Sequence, residues 1–404
     1  MDDLFWLTSL LLVVAVLLRS EFFFYLLYVV IGLQVLTRLW LRRIATRLSW
    51  RRELLPAAFP GEPLTVTLEV TNQSLLPLPW LALHESIPPA LHTPPMVREV
   101  FSLGAGEQRI LRYTLVGRQR GYYRLGPLTL STGDVLGLRE RTIVAPATDA
   151  LTIYPKLLPL HELGLPATLP YGTLAAQQRL FSDPARPAGV RPYQPADGVR
   201  RIDWKSSAHS GTPLVRSYQP AIAMETLIAL AFSREEFGKL FAYDLMERAL
   251  VAAASIAGHL SAQGQPVGLC STGTDPASGV APAVPVGNGR AHLIEVLGAL
   301  GRLEIAQAGS LITTLPRATA QLGWGSTLVV ITGQRGSELV AALLPLRRRG
   351  LNIALVLSEP TPEDLALPRA HGISAYALWR DGRPTTAVGA GFTPIPTPPQ
   401  PPPQ

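Results

Sequence analysis

Residues 191–209 read RPYQPADGVRRIDWKSSAH, a dense run of polar and aromatic residues in a chain that is 47% hydrophobic. Pro192 and Pro195 prevent one continuous helix here, because proline lacks the backbone N–H and clashes with the preceding turn. Since buried polar groups without partners cost free energy, the run is expected to be either buried and fully hydrogen-bonded or exposed to a partner. The candidate site residues in this run are Arg191, Tyr193, Asp197, Arg200, Arg201, Asp203, Trp204, Lys205, Ser207 and His209.

This run resembles the signature of the bacterial and archaeal family known as Domain of Unknown Function 58. The family pattern is arginine, any residue, tyrosine, a glycine–aspartate step, arginine, isoleucine, aspartate or histidine, tryptophan, and a serine–alanine–arginine end. The matching residues are Arg191, Tyr193, Asp197, Arg201, Ile202, Asp203, Trp204, Lys205, Ser207 and Ala208. The sequence departs from the pattern at Ala196, where glycine is usual, and at His209, where arginine is usual. The resemblance extends over most of the chain, but the family name assigns no chemistry.

Two apolar runs near the N-terminus predict a membrane segment over residues 1–48. Residues 4–18 carry no charge, and residues 22–41 carry only Arg38. A bilayer core needs about 20 apolar helical residues, so the second run is long enough and the first is short. One continuous helix through both runs would place charged residues at mid-membrane. We expect a transmembrane hairpin that turns at residues 19–21, with a single span as the alternative.

The arginines after the second run predict the orientation of this hairpin. They are Arg38, Arg42, Arg43, Arg47, Arg51 and Arg52. Positive charge beside a span stays on the cytoplasmic side, so we expect an inner (cell) membrane protein whose other domains face the cytoplasm. Contact of these arginines with anionic membrane lipid is the favoured interpretation, and no nucleic-acid partner is expected. Asp2 and Asp3 argue against a cleaved signal peptide, which carries positive charge at this position.

Residues 49–155 are predicted to form an all-β, immunoglobulin-like sandwich. Leu64, Val66 and Leu68 alternate with polar residues, which is the period of a half-buried strand. Glycines punctuate several further short apolar runs, as turns between strands do. Residues 156–220 are predicted to be an irregular, proline-rich connector that holds the signature.

Residues 221–385 are predicted to be a doubly wound α/β domain that is similar to a von Willebrand factor A domain. Strand-length apolar runs lie at residues 226–232, 267–271, 327–332, 353–357 and 374–378, and helix-like runs lie at 241–262, 290–303 and 338–348. Strands that are apolar on both faces belong to a parallel sheet covered by helices. Residues 386–404 are a proline-rich tail, expected to be disordered. The predicted fold class is thus a membrane-anchored α+β multidomain protein.

The resemblance to a von Willebrand factor A domain implies where a divalent cation would bind. In those domains the first strand is followed by an aspartate, serine, serine pattern that supplies oxygen ligands. Ala231, Ser233 and Glu235 stand at the matching positions, so the key carboxylate is missing. Asp275 comes from a later loop and is displaced. We therefore expect a degenerate site with no metal, and no other cofactor; the single cysteine, Cys270, also excludes a cysteine-based site.

Three interpretations of the signature are open. The sequence contains no GxxxxGK[ST], HExxH or GxSxG motif, but Asp197, Asp203 and His209 could form an acid–base group with Ser206 or Ser207. Alternatively the signature is a clasp, in which Trp204 is buried between the domains and Asp203 pairs with Arg191, Arg200 or Arg201, because buried charges persist when paired. The same residues could instead form a partner site, and the third possibility is a nucleic-acid contact.

The function that these patterns favour is a membrane-anchored cytoplasmic adaptor or scaffold. The family resemblance implies a MoxR-type AAA ATPase as partner, and a transglutaminase-like membrane protein as a possible second one, in a chaperone-like or envelope-assembly role. The alternatives are a hydrolytic enzyme that uses Asp203 and His209, and a metal-dependent ligand-binding domain.

Overall fold

The computed structural model describes residues 2–18, 21–91, 96–133, 140–166, 182–194, 202–220, 225–237 and 242–378. Asp197, Arg200 and Arg201 of the signature and the proline-rich tail lie outside these ranges. The chain divides into two compact units, Met1–Pro155 and Lys156–Gln404. The fold is mixed α/β, with apolar helices at the N-terminus and a mostly parallel sheet in the second unit.

The first unit begins with two helices that lie against each other, α1 (Asp2–Leu18) and α2 (Glu21–Ala45). Helix α2 is long and apolar enough to cross a membrane, whereas the apolar part of α1, Thr8–Leu18, is shorter. The last turn of α2 packs against the strands that follow it. Ile44 is buried in an apolar cluster of those strands, and Trp40 packs against the same cluster. The helix is therefore joined to the rest of the unit by packing as well as by the chain.

Among the described residues of the first unit, ten strands come after α2, arranged in three sheets. They are β1 (Leu48–Glu53), β2 (Ala57–Ala58), β3 (Pro63–Asn72), β4 (Leu78–Ser86), β5 (Met96–Leu103), β6 (Gln108–Val116), β7 (Gly121–Leu125), β8 (Leu128–Gly133), β9 (Glu140–Ala145) and β10 (Asp149–Ile153). Their orders are β1-β3-β6, β2-β10-β7 and β5-β4-β8-β9. All pairs are antiparallel except β2 with β10.

Side chains from different sheets share two apolar clusters. In β3, Leu64, Val66, Leu68 and Val70 are buried, as the alternation in the sequence predicts. Leu68 and Val70 join the cluster that holds Ile44 and residues of β4, β5, β6, β8 and β9. Leu64 and Val66 join the second cluster with residues of β2, β6, β7 and β10. The two halves of β3 thus pack into different parts of the core.

A buried ion network lies beside these clusters. Arg52 Nη2 lies 2.5 Å from Glu85 Oε1, and Arg52 also pairs with Asp149. The Tyr113 hydroxyl donates to the second oxygen of Glu85. Burial, together with the Glu85 carboxylate, raises the pKa of Tyr113 above its ordinary value of 10.0. Burial alone would lower the pKa of Arg52, but Glu85 and Asp149 outweigh it and raise the pKa.

The second unit contains a two-stranded sheet, a six-stranded sheet and seven α-helices among its described residues. The first part holds a 3₁₀ helix (Leu160–Leu163), β11 (Ser182–Pro192), α3 (Trp204–Ser210) and β12 (Leu214–Pro220). The remaining elements are β13 (Thr226–Leu230), α4 (Arg234–Phe237), α5 (Ala242–Ala262), β14 (Val267–Ser271), β15 (Ala283–Gly287), α6 (Arg290–Arg302), α7 (Leu311–Ala318), β16 (Thr327–Thr332), α8 (Ser337–Arg348), β17 (Asn352–Ser358), α9 (Pro362–Ala370) and β18 (Ser374–Leu378).

The six-stranded sheet has the order β15-β14-β13-β16-β17-β18. All neighbours are parallel except the edge strand β15, which is antiparallel to β14. The strand order reverses at β13, so the chain crosses to the other half of the sheet between β15 and β16. In open α/β sheets, loops at the carboxyl ends of the strands near such a reversal are where ligands bind.

The connector predicted over residues 156–220 is wrong in one respect. Among its described residues, β11 and β12 form an antiparallel hairpin and α3 lies between them in sequence. The proline content concealed this hairpin, because proline within an apolar run argues against a strand except at an edge. A two-stranded sheet offers two edges, so it accommodates Pro187 and Pro192 in β11.

Candidate functional site

The signature folds as a helix held on a hairpin. Arg191 pairs with Val215 in the register of β11 and β12. Beyond the last pair, the backbone N–H of Tyr193 donates to the Pro213 carbonyl at 2.9 Å. Where the chain returns, Ile202 forms an isolated antiparallel bridge with Val215. The signature is therefore attached to β12 at its start, Arg191, and again at Ile202.

Asp203 starts the helix. It is the N-cap of α3, and its carboxylate accepts hydrogen bonds from the backbone N–H groups of Lys205 at 3.2 Å and Ser206 at 3.3 Å. Aspartate is among the strongest N-cap residues because it satisfies N–H groups that have no partner within the helix. Its own backbone N–H donates to the Leu214 carbonyl at 2.8 Å. Asp203 thus fixes where the helix begins and holds it on β12.

Ser207 holds the middle of the helix. Its hydroxyl donates to the Asp203 carbonyl at 2.7 Å and accepts from the backbone N–H of Leu214 at 2.8 Å. The helix ends at Gly211, whose positive φ of 68° closes the last turn with a hydrogen bond to the Ser207 carbonyl. A left-handed residue at this position is most often glycine, because glycine has no Cβ to clash. Asp203 and Ser207 therefore build the helix and its attachment.

The other signature residues of this helix are presented outward. Trp204 is 67% exposed, and Lys205, Ala208 and His209 are exposed as well. Residues four apart lie on the same side of a helix, so Trp204 stands beside Ala208, and Lys205 beside His209. We call these four residues the exposed face of the signature helix. Arg191 and Tyr193, at the end of β11, are half-buried.

This arrangement corrects the clasp interpretation. The prediction that Trp204 is buried is wrong, since two thirds of the side chain is exposed. Trp204 occupies the first helical position after the cap. The predicted pairing of Asp203 with an arginine stays a prediction, because Arg200 and Arg201 lie outside the described residues. Arg191 donates from Nη1 to the Pro192 carbonyl at 3.2 Å.

A second cluster lies after β13, at the carboxyl end of the six-stranded sheet. The carboxylate of Glu236 is its centre, and the residue is only 4% exposed. One oxygen, Oε2, lies 2.9 Å from Ser233 Oγ and 2.8 Å from Thr272 Oγ1. The other, Oε1, accepts from the backbone N–H of Leu311. Thr272 in turn accepts from the Phe232 backbone N–H at 2.8 Å. We call these residues the Glu236 cluster.

The cluster lies where the resemblance implies a cation site. Ala231 is buried and supplies no oxygen from its side chain. Ser233 is buried, and its hydroxyl also lies 2.7 Å from the Gly309 carbonyl. Glu235, the third position of the degenerate site, is exposed. The carboxylate that lies in the buried cluster is that of its neighbour Glu236. Glu236 was not among the predicted site residues. The Ser233-x-x-Glu236 spacing could have found it, because a serine with glutamate three residues later is a common start of a helix.

Asp275 is engaged elsewhere. Its carboxylate lies 3.0 Å from Arg302 Nε and accepts from the backbone N–H of Ala277 at 2.9 Å. In the part of the chain that the structure describes, no group of three or more His, Cys, Asp or Glu side chains is placed to hold a metal ion. Burial raises the pKa of the Cys270 thiol to about 12, so this cysteine stays protonated and unreactive at neutral pH.

Comparison with known proteins bears on the same region. Residues 189–374 match the model of a family described as Protein of unknown function DUF58. A Bacillus subtilis (strain 168) protein, described as Uncharacterized protein YeaD, is 24% identical over 302 residues, which are 69% of this chain and 68% of that protein.

The solved structures that are similar cover short parts of the chain. The CARDB domain of the PF1109 protein from Pyrococcus furiosus, in complex with di-metal ions, matches 26% of this chain and 86% of that chain, with 18% identity and a TM-score of 0.20. A beta-glucosidase from Listeria innocua in complex with gluconolactone matches 28% of this chain and 16% of that chain, with 14% identity and a TM-score of 0.18.

The family match and the geometry coincide. The matched residues begin in β11 and end at the first residue of β18, so they contain the signature helix, its hairpin and the Glu236 cluster. The match over residues 189–374 and the similarity to YeaD together support a protein of the family described as Protein of unknown function DUF58.

Proposed function

We propose that the protein is a membrane-anchored adaptor or scaffold that binds a partner protein through the exposed face of the signature helix. The observation that carries the proposal is the exposure of Trp204 on a helix whose position is fixed by Asp203 and Ser207. The free energy falls when a partner covers a large aromatic side chain, because apolar surface is removed from water. Tryptophan is also the residue type most enriched among those that dominate binding at protein interfaces.

The rigidity of the helix strengthens this proposal. A side chain on a mobile segment must be ordered when it binds, and that ordering costs free energy. Here the cap, the Ser207 hydroxyl and the left-handed Gly211 fix both ends of a helix of seven residues. Trp204 is thus presented in one place before any partner arrives. Lys205 and His209 beside it provide a positive charge and a polar ring for the rim of the interface.

The partner that we propose is a MoxR-type AAA ATPase, on the strength of the family resemblance. A transglutaminase-like membrane protein is a possible second partner. The chaperone-like or envelope-assembly role derives from such a partnership. This role is consistent with the exposed face of the signature helix as a protein-binding surface. It is also consistent with the Glu236 cluster, whose carboxylate is already hydrogen-bonded within the protein.

The proposed setting is the inner membrane, with α1 and α2 as a hairpin and both units in the cytoplasm. The length and composition of α2 support a span. The arginines from Arg38 to Arg52 support a cytoplasmic location for the chain beyond α2. For the first unit we propose the immunoglobulin-like sandwich, because its antiparallel sheets share apolar clusters. For the second we propose the von Willebrand factor A-like fold, because the strand order β15-β14-β13-β16-β17-β18 is that of a doubly wound sheet.

The two alternative functions have less support. A hydrolytic site would need Asp203 free to orient a base, but its carboxylate caps the helix. A metal-dependent site would need the hydroxyls of Ser233 and Thr272 as ligands, but both contact the Glu236 carboxylate. A metal ion would have to displace those contacts in a buried cluster that lacks the aspartate at position 231.

Affinity capture from detergent extracts tests the proposed function. The full chain carries the tag, and the recovered proteins are identified by mass spectrometry. We expect recovery of an AAA ATPase with the wild-type chain and with Tyr243→Ala, which truncates another exposed aromatic side chain. We expect loss of the ATPase with Trp204→Ala. Equal recovery with Trp204→Ala, or no ATPase with any bait, would contradict the proposal.

Reporter fusions test the proposed topology. A reporter joined after residue 60 should show cytoplasmic activity, because the six arginines from Arg38 to Arg52 hold that end of α2 in the cytoplasm. A periplasmic signal from this fusion would overturn the orientation and the access of a cytoplasmic ATPase to the second unit.

A further inference from the structure

One end of the first unit gathers the exit of α2 and the turn between β3 and β4. Strand β1 begins at Leu48, three residues after α2 ends, and Leu48 pairs with Asn72 at the end of β3. The backbone N–H of Gln73 donates to the Arg47 carbonyl at 2.9 Å. The side chain of Gln73 donates to Ser49 Oγ at 3.0 Å. The β3–β4 turn is therefore bonded directly to the segment through which the helix enters the strands.

This turn is rigid. Asn72 is fully buried, and its side-chain amide donates to the carbonyls of Leu76 at 2.9 Å and Gly104 at 2.8 Å. Its side-chain oxygen accepts from the backbone N–H of Ser74 at 3.1 Å. Leu76 packs against the apolar cluster that contains Ile44 of α2, as Trp40 does. The two residues on either side of position 75 are thus held in place.

Leu75 at the tip is 95% exposed. A leucine fixed in this way cannot fold back onto the core, and leaving it in water is unfavourable. The exposed apolar side chains Leu36 and Leu39 lie on α2 shortly before the junction. Arg42, Arg43 and Arg47, all exposed, lie around the junction itself. An exposed apolar tip and three exposed arginines at the end of the unit where α2 enters match the chemistry of an anionic lipid surface, which offers acyl chains below and phosphates above.

We propose that the β3–β4 turn is a second membrane contact, in which Leu75 inserts among the lipids beside α2 while Arg42, Arg43 and Arg47 contact anionic headgroups. The inference rests on the proposed membrane anchoring by α2 and adds to it a fixed orientation of the first unit. A helix that only tethers the unit would let it tumble. A helix that packs into the core through Ile44, with a lipid-inserted turn beside it, holds this end of the unit against the bilayer.

The opposite end of β1 provides a matched control. Leu55 lies just beyond β1 and is 64% exposed. Six residues of strand span about 20 Å at about 3.3 Å per residue, so Leu55 lies well away from the junction. If the orientation is fixed as proposed, Leu75 meets lipid and Leu55 does not, although both are exposed leucines in the same unit.

Fluorescence quenching in vesicles tests the inference on the full chain. Leu75→Cys, Leu55→Cys and Leu36→Cys are each labelled with an environment-sensitive fluorophore; Cys270 is buried and does not compete for the label. The proteins are reconstituted into phosphatidylcholine vesicles that contain phosphatidylglycerol and a lipid with a spin label near the headgroup end of its acyl chain. We expect the label at positions 75 and 36 to lose most of its emission, and the label at position 55 to keep it.

The other outcomes separate the inference from the proposed anchoring. Quenching at 36 without quenching at 75 would overturn the membrane contact of the turn and leave the α2 anchor intact. Quenching at both 75 and 55 would overturn the fixed orientation. Emission kept at position 36 would overturn the anchoring, and the inference with it.

Discussion

The hydroxyl of Ser207 accepts a hydrogen bond from the backbone N–H of Leu214 across 2.8 Å. This bond joins the signature helix to the first residue of β12. The same hydroxyl donates to the Asp203 carbonyl within the helix. One small side chain therefore fixes both the helix and its place on the hairpin, and it leaves the exposed face of the helix accessible to the proposed partner.

Removal of this hydroxyl should loosen the helix from the hairpin. Ser207→Ala leaves the Leu214 N–H without its partner in a half-buried place, which costs about 1–3 kcal/mol. Hydrogen exchange measures the effect locally, and the Leu214 amide should lose protection. Ser210→Ala is the control, because Ser210 is exposed. A Leu214 amide that exchanges equally slowly in both variants would refute this role of Ser207.

The cap at Asp203 predicts a graded effect. Asp203→Ala removes both N-cap hydrogen bonds and should cost about 1 kcal/mol, whereas Asp203→Asn keeps a capping oxygen and should cost a few tenths, ~0.3 kcal/mol. Hydrogen exchange of the Lys205 and Ser206 amides reports the cap directly. Equal, large losses for both variants would instead indicate that the negative charge matters, as the predicted arginine pair requires.

Glu236 and Glu235 are adjacent, but only substitution of Glu236 should cause a large loss of stability. Glu236→Ala leaves the Leu311 N–H and the Thr272 hydroxyl without their acceptor in a buried cluster. We expect a loss of about 3 kcal/mol, since hydrogen bonds to a charged group contribute ~1.5–3 kcal/mol each. Glu235→Ala, on the surface, should change stability by less than ~0.5 kcal/mol. Urea denaturation of the two variants decides this, and two similar midpoints would contradict the arrangement of the cluster.

The ion network of the first unit predicts a loss of stability in alkali. The folded state raises the pKa of Tyr113 above its ordinary value of 10.0. Above pH ~10 the unfolded chain therefore releases a proton that the folded chain keeps, so stability falls as pH rises, whereas below pH ~10 it is unaffected by this group. Tyr113→Phe should remove this part of the decline. Denaturation curves between pH ~9 and pH ~11 that fall equally for both proteins would show that the tyrosine plays no part.

The sequence predicted the five parallel strands of the six-stranded sheet, and the strands at 267–271, 327–332 and 374–378 have the predicted bounds. These strands are apolar on both faces, and continuous apolar runs of this length indicate buried strands of a parallel sheet. It missed β15, because Pro285 in an edge strand hides its pattern. It missed α9, although Thr361 and Asp364 form a capping box that the sequence shows.

The site was harder to predict than the sheet. The residues of the signature were identified, but Trp204 was predicted to be buried and the capping role of Asp203 was not predicted. A tryptophan beside an aspartate and several arginines suggests a buried, paired group, and only the three-dimensional fold reveals that the aspartate caps a helix and the tryptophan faces outward. In the same way, which of two adjacent glutamates enters the core depends on the phase of a single helical turn.

Thermal unfolding of Trp204→Ala, together with recovery of the ATPase by the same preparation, decides whether the signature helix binds its partner through the exposed tryptophan. Because Trp204 is largely exposed, we predict a change in stability of less than ~0.5 kcal/mol together with loss of the partner. A large loss of stability, about 3–5 kcal/mol as for a core tryptophan, or full recovery of the partner by a stable variant would show that Trp204 is not an exposed binding residue.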